Sequence, residues 1–416
     1  MRDVRMKGFK QRTRVEDALA ILKERLRPLD SEYLPIAQAH GRILSEDCRA
    51  AIDVPHFQRS AMDGYAVQAA DTFGANIYAP LSLRIIGDAR PGKAFEGELV
   101  QGCALRITTG APLPAGADAV IMAEHAEEIV DHSNAIIRVQ QATAPGKHVG
   151  HIGEDIPRGT LIASKGRRLR PQDVGVLASV GMGGVHVVAR PRIRILITGN
   201  ELLPPGHLPQ GACIVDTNSL VLAALCDRDG GIVQSIDYIH DDRNDLHHAF
   251  IASGEDILLV SGGSSVGPED HAPHVLAELG ELSVHGLAMR PSSPAGFGFI
   301  PGKERARVVF LLPGNPVSCM CAYEFFAGPS IRLLGGRSMQ WPHPKTRLRA
   351  GAKFVSELGR VDFTRVRIEN DRVFPIMTSG ASILSSTTRA DGLVIIPSEL
   401  EGYAEDEPVD VLLFDT

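Results

Sequence analysis

One pattern constrains this chain more than any other, and it occurs three times: a short apolar run breaks at a glycine-bearing loop, and a helical stretch follows. Residues 257–260 read Ile-Leu-Leu-Val and break into Ser261-Gly262-Gly263-Ser264-Ser265-Val266-Gly267-Pro268-Glu269-Asp270. Residues 308–312 read Val-Val-Phe-Leu-Leu and break into Pro313-Gly314-Asn315-Pro316-Val317-Ser318. Upstream, the run 194–197, apolar after Arg194, ends in Thr198-Gly199-Asn200-Glu201. Short runs without polar alternation, rich in branched residues, read as strands buried on both faces. Three such strands at one edge of a parallel sheet make a crevice at their carboxyl ends, where open α/β sheets bind ligands.

The loop chemistry suits an anion. Glycine lets backbone N–H groups approach a phosphate, and the start of the following helix adds a favourable dipole. Thr198, Gly199, Ser261, Gly262, Gly263, Ser265, Gly314 and Asn315 are therefore candidate binding residues. The acids Glu201 and Asp270 suggest a metal ion, or placement of a cationic or hydroxylated group. The competing reading is ordinary βα turns with no ligand; three loops with acids at two mouths weigh against it.

Length and composition set the frame. A chain of 416 residues holds two to four domains, with 44% hydrophobic and 22% charged residues as in globular proteins. The formal charge of −7, with both signs interspersed, gives no sign of nucleic-acid or anionic-membrane binding. No apolar run approaches a membrane span, and the first residues lack a signal-peptide core, so a cytoplasmic location is expected. The six cysteines form no C-x-x-C pattern and read as buried free thiols. Cys319 and Cys321, two apart on a helix, should face different ways.

Taken in order, residues 1–12 carry five basic residues and read as a loose arm, followed by an amphipathic helix over 15–26. The run 53–67, with Pro55, Arg59, Asp63 and Gly64, is a polar turn-rich loop. Alternating segments over 77–146 argue for short strands in a small β-rich insertion. Within it, Thr108-Thr109-Gly110-Ala111-Pro112 either meets an anion or simply turns the chain. The glycine-rich return over 145–155 offers His148, His151, Glu154 and Asp155, but without helical spacing a hinge is the safer reading than a metal site. The pair Asp241-Asp242 either starts a helix or faces a ligand. Residues 345–416 alternate again, as a small all-β barrel or sandwich.

Five stretches carry a resemblance: Ser60-Ala61-Met62-Asp63-Gly64-Tyr65-Ala66, Thr109-Gly110-Ala111-Pro112, Gly153-Glu154-Asp155-Ile156, Ser261-Gly262-Gly263 with Asp270, and Leu312-Pro313-Gly314-Asn315-Pro316-Val317-Ser318. In this order they resemble the molybdopterin molybdenumtransferase family, the bacterial molybdenum insertases related to the E domain of gephyrin. The resemblance implies a multi-domain α/β protein. It has a linking domain (13–50 with 147–175), an inserted β-rich domain (51–146), a central parallel-sheet molybdopterin-binding-type domain (176–335) and a C-terminal β-barrel domain (336–416). It implies insertion of molybdenum from molybdate into adenylylated molybdopterin with release of AMP, assisted by Mg²⁺. It also implies a homodimer with an active site shared between chains, and molybdopterin adenylyltransferase and client molybdoenzymes as partners.

Carried over position by position, Glu201, Asp241 and Asp270 match acids at the catalytic crevice, with Glu201 and Asp270 expected to hold the metal. Asp63, Thr109 and Asp155 match other functional loops, and Pro313 and Pro316 shape the last loop. The chain departs from the family where a Lys-Pro-Gly-Lys-Pro segment, with a further lysine four residues earlier, is usual. Here the run is Arg290-Pro291-Ser292-Ser293-Pro294 after Gly286, so Arg290 is expected as the chief remaining cation, with Ser292 and Ser293 as substitute donors. Asn200 stands where the family commonly has an aspartate. A catalytically impaired paralogue that serves as a molybdopterin-binding chaperone or scaffold is the alternative these departures raise.

Overall fold

The computed structural model describes residues 12–131, 134–252, 254–263, 270–377 and 382–414. The chain forms two compact units, one of residues 33–187 and one joining residues up to 32 with 188–416.

The larger unit is organised on a six-stranded sheet. Its strands are β1 (Arg192–Thr198), β2 (Ile232–Ile239), β3 (Ile257–Ser261), β4 (Glu281–His285), β5 (Gly296–Ile300) and β6 (Arg307–Leu312), in spatial order β2-β1-β3-β6-β5-β4. The first four in space run parallel, and β5 and β4 add an antiparallel edge. Every residue of β3 and β6 is buried, which is why these strands read as continuous apolar runs. Side chains alternate between faces. Leu196, Leu258, Val260, Val309 and Leu311 pack under the helices Arg243–Ile251 and Ala272–Leu279. The helices Asn218–Arg228 and Pro316–Ala322 contact each other and the sheet on the opposite face.

The same unit carries a closed five-stranded barrel made by Lys345–Ala350, Val361–Glu369, Arg372–Met377, Gly392–Ile396 and Pro408–Leu413. Closure comes from the pairing of Val361–Glu369 with both Arg372–Met377 and Gly392–Ile396. Val366, Val373, Val394, Ile396, Val409 and Val411 fill its interior. A two-residue strand, Met289–Arg290, pairs in parallel with Val361 and Asp362, fastening the segment after β4 to the barrel. The helix Val15–Arg25 belongs to this unit and buries Val15, Ala18 and Leu22.

The smaller unit holds a six-stranded sheet of Gly64–Val67, Leu81–Ala89, Cys103–Ile107, Ala119–Met122, Ala126–Asp131 and Asn134–Val139. All but one of its pairings are antiparallel, so side chains divide between two faces. Tyr65, Val67, Leu83 and Ile137 pack on one face, and Ala66, Leu105, Ile107 and Val120 on the other. A separate cluster of Leu44, Cys48, Leu169, Leu177, Val185 and Val187 joins the segments that flank this sheet in sequence.

Candidate functional site

Register places the three glycine loops side by side. Ile197 of β1 pairs with Ser261 of β3, and Ser261 pairs with Leu312 of β6, so the strands end at one level. The loops wall a crevice of about 670 Å³. The first gives Thr198, Gly199 and Glu201; the second gives Ser261, Gly262 and Gly263, with Asp270 beyond; the third gives Pro313, Gly314, Asn315 and Pro316. Asp241 enters from the end of β2. Ser265 lies outside the described residues.

Glycine is required here by close approach. A Cβ on Gly262, whose φ is 104°, would stand 2.3 Å from the carbonyl oxygen of Thr198. A Cβ on Gly263 would stand 3.2 Å from both Asp241 Oδ1 and Thr198 Oγ1, so those two oxygens converge on the second loop. Thr198 is 3% exposed, and its hydroxyl has no hydrogen-bond partner among the described residues. An unpaired buried hydroxyl costs free energy unless a ligand satisfies it.

The two neighbouring aspartates divide their work. Asp242 caps its helix, accepting from the N–H groups of Asn244 and Asp245, whereas Asp241 faces the crevice. The loops are tied from behind by a residue whose role sequence reasoning missed. Asn218 is buried, and its Nδ2 donates to Ser261 Oγ at 2.9 Å and to the Gly314 carbonyl at 2.8 Å. The Asp-Thr-Asn group was legible as a helix start, and Asp216 does accept from the Asn218 N–H. Nothing local in the sequence shows that Asn218 reaches two distant strands. Asn200 makes a similar tether, its Oδ1 accepting from the Asp241 N–H at 3.4 Å.

Arg290, Ser292 and Ser293 line a second cavity of about 380 Å³, next to the crevice and sharing Pro294, Pro313 and Asn315 with it. Arg290 is not its lone cation, because Arg12, Arg360 and Arg365 also line it. Arg290 and Arg360 both approach the buried carboxylate of Asp362, Arg290 through two guanidinium nitrogens. Arg365 is 2% exposed, and burial pushes its guanidinium below its ordinary value. The hydroxyl protons of Ser292 and Ser293 are committed to the carbonyls of Ser318 and Leu287, which leaves their oxygens as acceptors. Arg360 and Arg365 lay in the stretch that read only as a barrel strand and its approach.

Asp63, Thr109 and Asp155 stand on the smaller unit. Asp63 Oδ1 accepts from the Thr109 N–H at 2.7 Å and from its hydroxyl at 3.0 Å, which lowers the carboxyl below its ordinary range. Arg59–Ser60 pairs antiparallel with Val149–Gly150, bringing the Asp63 loop beside the return that carries Asp155. Asp155 is exposed there, and Arg59 pairs instead with Glu154 at 3.0 Å.

Among the described residues, no three His, Cys, Asp or Glu side chains gather into a metal cage. The crevice offers hard oxygen donors in Glu201, Asp241, Asp270 and the Thr198 hydroxyl. That set fits Mg²⁺ of the kind held by one or two carboxylates with water and substrate phosphate completing the shell. Cys319 lies behind Ser261 and Cys321 behind Pro291; both are buried, and burial pushes the Cys319 thiol up to about 12. No helix among the described residues is long and apolar enough to cross a membrane.

The chain matches three consecutive family descriptions: "MoeA N-terminal region (domain I and II)" over 13–181, "Probable molybdopterin binding domain" over 194–333, and "MoeA C-terminal region (domain IV)" over 347–414. It is 30% identical to the molybdopterin molybdenumtransferase of Haemophilus influenzae, across 92% of this chain and 94% of that protein. It is 31% identical to molybdopterin molybdenumtransferase 2 of Mycobacterium tuberculosis, across 93% and 96%. The crystal structure of a molybdopterin biosynthesis MoeA protein from Pyrococcus horikoshii superposes with a TM-score of 0.83 at 34% identity, covering 98% of this chain and all of that one. With relatives this similar along nearly its whole length, and with three glycine loops in register over acids, this chain belongs to the molybdopterin molybdenumtransferase (MoeA) family.

Proposed function

We propose that this protein is a transferase of molybdenum cofactor biosynthesis that takes adenylylated molybdopterin and molybdate, releases AMP and leaves molybdenum on the pterin dithiolene. The observation that carries this reading is the adjacency of two unlike cavities. One is a glycine crevice rimmed by Glu201, Asp241 and Asp270; the other is lined by arginines, and the two share Pro294, Pro313 and Asn315. The crevice suits the phosphates of the nucleotide, where loop N–H groups and the Thr198 hydroxyl can bond phosphoryl oxygens. The arginine cavity suits the oxyanion, since guanidinium forks match tetrahedral oxygen pairs.

Each residue then has a chemical task. Asn218 holds the second and third loops at fixed separation, so their N–H groups need no reorganisation as charge develops on the phosphate. Glu201 and Asp270 would hold Mg²⁺, which when bound would neutralise charge on the phosphate oxygens. Arg360 and Arg365 orient the oxyanion beside the shared Asn315 wall. We assign Asp63, Thr109 and Asp155 to the same reaction through a homodimer, in which the smaller unit of a second copy supplies them. The Thr109 bonds keep Asp63 ionised and fixed in direction, as a group presented to a ligand requires.

The test is incubation of the protein with adenylylated molybdopterin, Mg²⁺ and molybdate, following AMP release and activation of an apo-molybdoenzyme. Molybdate-dependent AMP release with activation is expected. Tight pterin binding without AMP release would instead identify a non-catalytic carrier.

A further inference from the structure

The segment 286–294 carries Arg290 and no lysine, and the structure brings a further cation to that place from elsewhere in the chain. The Thr13 N–H donates to the Gly286 carbonyl at 2.9 Å, and the Ala288 N–H donates to the Thr13 carbonyl at 2.8 Å. Thr13 thus bridges Leu287 as a short parallel strand would. Leu287 is fully buried, and two residues beyond Thr13 the helix Val15–Arg25 begins with its buried Val15. The backbone at 13 is held on both sides, and Arg12, directly before it, lines the arginine cavity.

We propose that Arg12 is a specificity-determining residue of the oxyanion cavity, a cation held over the 286–294 segment by the Thr13 bridge. This rests on the reading of that cavity as the oxyanion subsite. Three observations favour Arg12 over a bystander role. Arg290 gives two guanidinium nitrogens to the buried Asp362 carboxylate, so much of its charge is already balanced within the protein. No carboxylate lines the cavity among the described residues, so a further cation there acts on the ligand directly. Gly286 has φ 91°, a conformation a lysine would adopt only with strain, whereas the strand-like contact of Thr13 uses that backbone as it stands. Arg12 precedes the matched residues 13–181, so the family comparison gives it no role.

The neighbouring Arg14 provides an internal control. It carries the same charge but pairs with Glu16 at 3.5 Å and does not line the cavity. The experiment is calorimetric titration of sodium molybdate into the full chain, for wild type, Arg12→Ala, Arg14→Ala, Arg360→Met and the double variant Arg12→Ala/Ser293→Lys. Loss of one charge-assisted contact should weaken molybdate about tenfold in Arg12→Ala. Arg14→Ala should stay within about twofold of wild type, as a screened surface charge does. The added lysine in the double variant should recover most of the loss. If Arg360→Met weakens binding and Arg12→Ala does not, the Arg12 assignment is overturned while the cavity reading stands. Equal effects of Arg12→Ala and Arg14→Ala would reduce the effect to bulk charge and overturn it too. If wild type binds no molybdate, or Arg360→Met changes nothing, the oxyanion reading itself fails and the proposal with it.

Discussion

The glycine crevice and the arginine cavity share three residues, yet they are built in opposite ways. The crevice is made by backbone: three register-matched strand ends, glycines that admit neighbouring carbonyls and carboxylates, and Asn218 tying two loops from behind. The arginine cavity is made by side chains that converge from residues 12, 290, 360 and 365, more than three hundred positions apart in sequence at the extremes. A backbone-built site is rigid and tolerates almost no added atoms. A side-chain-built site can exchange one cation for another from a different segment, so its charge can come from distant parts of the chain.

That contrast can be broken most forcefully at the acids. Asp270→Asn and Glu201→Gln should each lower AMP release by at least about a hundredfold, the scale of losing a group that stabilises developing charge. Thermal melting should be unchanged, because both residues line the crevice rather than the core. Unchanged turnover in both variants would return these acids to a structural role. Next comes the loop itself. Gly262→Ala puts a methyl 2.3 Å from the Thr198 carbonyl at a left-handed φ, and should cost roughly 2–4 kcal/mol in urea unfolding. A loss under about 0.5 kcal/mol would show that the loop yields and is not the rigid wall described. The smallest effect concerns the thiols behind each cavity. Cys319 and Cys321 should resist iodoacetamide at pH 8 in the native protein while the less buried Cys213 reacts first. Labelling of Cys321 with Cys319 spared would show the arginine cavity opening where the crevice does not.

What the sequence made legible follows the same division. The strands at 257–261 and 307–312 could be read because burial on both faces leaves apolar runs at 257–260 and 308–312, and 192–198 because its buried end is apolar after Arg194. The loops could be read from the glycine within two residues of each strand, with Glu201 and Asp270 at two of the three. The β-rich insertion and the barrel were visible as alternation where a strand turns one face to a core, as Leu81–Ala89 and Pro408–Leu413 do. The residue pattern alone does not separate Asp241 from Asp242, as both are acids before a helix, and only the resemblance singles out Asp241; the backbone direction decides which caps and which faces the crevice. Arg360 and Arg365 were invisible as site residues because nothing near them in sequence marks a ligand; the pairing of Met289–Arg290 with Val361–Asp362 is what carries them there. Arg12 reads in the sequence as part of a loose arm, since a bridge of a single residue leaves no periodic signal.

The central claim is that the two cavities hold two different ligands. It is tested most directly by measuring the affinities of adenylylated molybdopterin and of molybdate separately in Asn218→Ala and in Arg360→Met. Asn218→Ala removes two bonds that fix the crevice loops and should weaken the nucleotide about tenfold while leaving molybdate within about twofold. Arg360→Met should do the reverse. Parallel weakening of both ligands in both variants would contradict the account, because it would mean that one undivided site binds them together.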